Sequence, residues 1–100
     1  MTELRSTRAL VILLVGLITA CAGAPVQEMS NARQAISAAH SAGAGQRASD
    51  ALQKAEGLLK KAEEDLSVGE YTKARGNAAA ARDQAMKART EAQPQGQPNP

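Results

Sequence analysis

Few side chains in these 100 residues could carry reaction chemistry. Cys21 is the only cysteine, His40 the only histidine and Tyr71 the only aromatic residue. A thiol or hydroxyl becomes a working nucleophile beside a base that a third group orients. No such trio is evident around Cys21. A metal site at His40 would need further His, Cys or carboxylate ligands at helical spacing. None accompanies it, so His40 reads as a residue on a helix flank. Glu63-Glu64 is a carboxylate pair, but Lys60 and Lys61 lie beside it, which reads as a solvated face. No glycine-rich loop follows a strand, and no strand is evident. The expectation is a protein that is not an enzyme. It takes no cofactor, metal or small-molecule substrate.

The chemistry expected at Cys21 comes from its context. Arg5 and Arg8 form a basic start, residues 9–18 are apolar, and Thr19-Ala20 are small. That is the layout of a secretory signal, residues 1–20, with cleavage between Ala20 and Cys21. A spanning helix needs about 20 apolar residues, and this run has about half of that. An uncleaved inner-membrane anchor is the rival reading. Ile18-Thr19-Ala20-Cys21 resembles the lipobox of bacterial lipoproteins. The resemblance implies a diacylglyceryl thioether on Cys21, a cut before it, and acylation of the new amine. One acyl chain holds a protein marginally, whereas two or more anchor it stably. Ala22 follows the cysteine where an Asp does not. In Gram-negative lipoproteins that resembles the pattern sent on to the outer membrane. The expected partner is therefore a membrane, through lipid on Cys21, and the expected place is the outer membrane facing the periplasm.

Composition narrows the remainder. The chain carries 12 basic and 10 acidic residues. Losing Glu3, Arg5 and Arg8 with the signal leaves 10 basic and 9 acidic, with the signs interleaved. Nucleic-acid binding needs a clustered basic face, so none is expected. A domain this small buries a limited share of its surface. The larger apolar side chains after Cys21 are few, and most other apolar residues are alanine, the best helix former. An all-α chain with a thin core follows.

Periodicity sets out the elements. Residues 21–25 form a tether, with Pro25 suited to a helix start. Met29, Ala32, Ile36 and Ala39 step by three, four and three, which marks one face of a helix over 26–42. Gly43-Ala44-Gly45 stops it. Ala48, Leu52, Ala55, Leu59, Ala62 and Leu66 form a heptad seam on a helix over 47–67, with Ser49 and Asp50 as capping candidates. Gly69 lies in the turn. Tyr71, Ala74, Ala78, Ala81, Ala85, Ala88 and Ala92 continue the pattern on a helix over 70–92. So short a connection makes these two helices antiparallel neighbours. Leu52, Leu59, Leu66 and Tyr71 are expected in their interface. The domain over 26–92 is thus a small three-helix bundle, or a helical hairpin plus an N-terminal helix, with coiled-coil-like packing. Residues 93–100, rich in Pro, Gln and Gly, are expected to be a disordered tail.

Leu66-x-x-Gly69-x-Tyr71-x-x-Ala74 resembles the turn of a tetratricopeptide repeat. There the glycine relieves the turn, the tyrosine wedges between helices and the alanine permits close packing. Stacked repeats need about three units, and one is present here. The chain as a whole is similar to short alanine-rich bacterial envelope lipoproteins with an uncharacterised domain. Ala32-Arg33-Gln34-Ala35-Ile36 and Gly69-Glu70-Tyr71-Thr72-Lys73-Ala74 carry that likeness. It implies an envelope location and a helical fold, and brings no catalytic residues. A structural or adaptor role leads, with self-association or an envelope protein as partner. A peptide-binding module built on the repeat-like hairpin is the alternative.

Overall fold

Alanine spacing decides how these helices meet. The computed structural model describes residues 24–94, which hold four helices. They are α1 (Val26–Ser41), α2 (Ala44–Arg47), α3 (Ser49–Ser67) and α4 (Tyr71–Ala92). The fold is all-α. The expected signal segment, Cys21 and most of the tail lie outside the described residues.

Local chemistry fixes the ends. Pro25 is the N-cap of α1, one residue earlier than its best-suited position, and its carbonyl accepts from the Met29 N–H at 3.0 Å. Gly43 follows α1 at φ 88 and its N–H donates to the His40 carbonyl, which ends the helix. The chain does not stay irregular there. Residues 44–47 form the single turn α2, because Ala44 and Ala48 are both buried in the core. That burial also settles the start of α3. Ala48 is its N-cap, without a side-chain cap; neither Ser49 nor Asp50 takes the role. After α3, Gly69 adopts φ 79. Its N–H donates to the Leu66 carbonyl, and the Glu70 N–H to the Asp65 carbonyl. This pair of bonds is a Schellman motif, and the left-handed step it demands is cheap only for glycine.

Three long helices follow an up-down-up path. α4 is the central one, flanked by α1 and α3. Hence α1 packs on the hairpin and does not stand apart as a stalk. Every inward residue of α4 is alanine: Ala74, Ala78, Ala81, Ala85, Ala88 and Ala92 are all buried. Small side chains allow axes to approach toward the near end of the usual range of about 8–10 Å.

The core is layered. Met29, Ala62 and Ala78 cluster together. Stepping by three, four and three along each helix from that level gives Ala32–Leu59–Ala81, then Ile36–Ala55–Ala85, then Ala39–Leu52–Ala88. The last two levels fall within the larger cluster, and Leu59 packs against both clusters. Each level holds one large side chain and two alanines. The large one alternates between α1 and α3, and α4 always supplies alanine. A full burial of Met, Ile or Leu contributes roughly 1.5–3 kcal/mol, so a few residues carry most of the apolar stabilisation. Among the described residues no polar or charged side chain is buried.

Candidate functional site

Two features of the surface stand out: the end that carries the α3–α4 turn, and a groove between α1 and α4. The register that builds the core also sets both.

At the turn end, the hairpin residues singled out by sequence are spread over different environments. Leu52 and Ala74 are buried, Leu59 packs against the core from its edge, and Leu66 is half-buried. Tyr71 is 43% exposed and belongs to neither buried cluster. The reason is register. Following the levels outward from Leu66–Ala74, the residue opposite Tyr71 is Gly69, in the turn itself. The ring therefore has no α3 side chain to wedge against. Asn77 braces the hairpin nearly two turns further in, where its Nδ2 donates to Asp65 Oδ2 at 2.7 Å. Lys73 pairs with Glu70 at 3.0 Å. The hydrogen bond that the Lys73 ammonium donates to that carboxylate, then the carboxylate's charge, raises the Lys73 pKa above the ordinary lysine value.

Cross-helix ion pairs report the register on the outside. Arg75 of α4 meets Glu28 of α1 at 3.4 Å. Arg33 and His40 of α1 meet Glu63 and Glu56 of α3 at 3.6 and 2.7 Å. His40 Nε2 and Glu56 Oε1 lie within hydrogen-bond distance. These pairs are about half-exposed, and such pairs contribute on the order of 0–1 kcal/mol each. They follow the alignment that the core sets and add little stability. The sequence shows nothing of them, because partners 16, 30 and 47 positions apart become neighbours only once α1 is set against α3 and α4.

The groove between α1 and α4 has a floor of Ala35, Ala38 and Met86. Met86 is 55% exposed. Arg82, Arg89, Asn31 and Gln34 form its rims. Arg82 also reaches Asp83 at 3.0 Å. A shallow apolar floor with polar and cationic rims suits a side chain from another polypeptide. Sequence reasoning did not find it, since Met86 falls off the alanine stripe and α1 was not yet paired with α4.

Val26 and Val68 were also missed as surface features; they are 68% and 71% exposed. Their signal was available: Val68 is an aliphatic residue in a turn, and Val26 the first residue after a proline. Cys21 and Ala20 lie outside the described residues. Among the described residues, no group of three or more His, Cys, Asp or Glu side chains could hold a metal ion. No described helix is long and apolar enough to cross a membrane.

No curated protein and no solved structure matches the chain. Residues 27–95 match the family described as Domain of unknown function (DUF4398). That span runs through all four helices, and the chain belongs to this family.

Proposed function

We propose that this chain is a lipid-anchored protein of the bacterial cell envelope. It has a non-enzymatic, structural or adaptor role at the periplasmic face of a membrane. One observation carries the reading: Ile18-Thr19-Ala20-Cys21 follows a basic and apolar run and stands just ahead of a folded helical domain. Cleavage before Cys21 leaves a bundle with lipid at its N-terminus. Ala22, in place of an acidic residue, favours the outer membrane. The bundle itself supports an architectural role. Its core is built from alanine faces that hold three helices in alignment, and three ion pairs tie α1 to α3 and α4 on the outside.

The test is the intact mass of the protein extracted from membranes, beside Cys21→Ser. The expected mass is that of residues 21–100 plus acyl chains, and the substitution abolishes it. A full-length mass without lipid overturns the reading and returns residues 9–20 to the role of an uncleaved anchor.

A second reading rests on the groove beside Met86. There the bundle serves as a docking module for a peptide or an envelope protein. Met86→Asp would then lose the partner while leaving helical content and the lipid unchanged.

A further inference from the structure

We propose that the turn end of the bundle seats directly on the lipid headgroup surface, so that the domain stands end-on at the membrane. This rests on the lipid-anchor reading of Cys21. Four large apolar side chains are exposed among the described residues: Val26, Val68, Tyr71 and Met86. Three of these share one end. Val26 begins α1, Val68 lies in the α3–α4 turn and Tyr71 begins α4. α1 and α4 run parallel: Glu28 and Met29 meet Arg75 and Ala78 near both helix starts, and Ile36 and Ala39 cluster with Ala85 and Ala88 further along. The three residues therefore fall within about one helical turn of the same level.

The anchor enters at that end and no other. Four residues lead from Cys21 to Pro25, and fully extended they reach at most about 14 Å. Pro25 is itself buried, so the tether meets the bundle at a fixed point. A lipid on Cys21 thus draws the Val26, Val68 and Tyr71 end toward the bilayer. The residue types suit that place: aliphatic side chains enter the acyl boundary, while tyrosine keeps its hydroxyl at headgroup level. Of the charged neighbours, Glu28 pairs with Arg75 and Glu70 with Lys73, whereas Glu64 and Asp65 in the last turn of α3 make no salt bridge among the described residues, and Asp65 accepts from Asn77. The opposite end closes differently. Ala44, Ala48 and Ala92 are buried there, and Arg47 donates to the Ala92 carbonyl.

The experiment uses the full, lipid-processed chain in vesicles of phosphatidylethanolamine and phosphatidylglycerol. Val26→Cys, Val68→Cys and Tyr71→Cys, with Thr90→Cys as the far-end control, each carry an environment-sensitive fluorophore. The thioether consumes the Cys21 thiol, so the new cysteine alone is labelled, and intact mass on the same samples reports the lipid. The expected result is blue-shifted emission at 26, 68 and 71 that nitroxide-labelled lipids quench, with neither effect at 90. Lipid present but all four labels equally aqueous and unquenched overturns the seating and leaves the anchor intact. A blue shift that follows protein concentration and ignores the quencher lipids means that a second copy covers the end, which also overturns it. A chain without lipid overturns the anchor and the seating together.

Discussion

Relocating the large side chain of one core level from α1 to α4 tests the layered packing. At the level of Ile36, Ala55 and Ala85, all three residues are buried and belong to one cluster. Ile36→Ala leaves a cavity and costs about 2–5 kcal/mol. Ala85→Leu forces three carbons into a seam where the alanine is already fully buried, at a cost of about 1–3 kcal/mol or more. If the positions were independent, the pair would lose about 3–8 kcal/mol. If they share one level, the double substitution conserves volume and costs under about 1.5 kcal/mol. The cycle then shows a coupling of at least about 1.5 kcal/mol. Urea unfolding followed by circular dichroism measures all four chains. In a thermal scan, Ala85→Leu alone lowers Tm by about 4–24 °C, at about 4–8 °C per kcal/mol for a domain of this size. Met86→Leu, on the neighbouring exposed position, stays within about 0.5 kcal/mol of the parent. A double mutant whose loss equals the sum of the singles would refute the shared level. An Ala85→Leu chain as stable as the parent would refute the tight seam.

Glycine substitutions separate open helix positions from the turn. A Cβ at Gly57 or Gly76 meets nothing within 4 Å, so Gly57→Ala and Gly76→Ala should each raise stability by up to about 1 kcal/mol. Gly69→Ala should lower it by about 1–2 kcal/mol in the same unfolding assay, because φ is 79 there. Glu56→Gln and Glu63→Gln should each change stability by less than about 1 kcal/mol. Unfolding at about 1 M salt should erase most of that difference, since the pairs are exposed and screened.

The helical class and the seam between α3 and α4 were legible in the sequence. Leucine and alanine recurring by three and four over 48–66, and alanine over 74–92, state one face per helix. Gly69 was legible as the turn for the same reason that Gly43 was legible as a stop: few other residues tolerate the left-handed step. What escaped depends on pairing between helices. The alternation of large residues between α1 and α3 appears only when both are set against α4. Ser49 and Asp50 read as caps because their side chains favour that role locally, but burial of Ala48 fixed the start of α3 instead. α2 is too short to show a period, so Gly43-Ala44-Gly45 read only as an end. Tyr71 read as an interface residue because the repeat-like pattern put it there, whereas the register leaves the turn glycine opposite. At the candidate site, the order of residues displayed Cys21 and its surroundings. It did not display that Val26, Val68 and Tyr71 converge, since they come from three separate segments.

An odd number of long helices has a consequence for connectivity. A chain that enters an up-down-up bundle at one end must leave it at the other. Here it enters ahead of Val26 and leaves after Ala92, on the far side of a helix of 22 residues. Val26 lies three residues before the Met29–Ala78 level and so is level with Arg75. The 17 residues from there to Ala92, at about 1.5 Å each, displace the exit by about 26 Å. A two- or four-helix bundle of the same stock would return its chain to the point of entry. Residues that follow Ala92 therefore leave the bundle at the end opposite to that where residues before Val26 enter. Lengthening all three helices by one heptad would then move that exit outward by about 10 Å without altering either attachment.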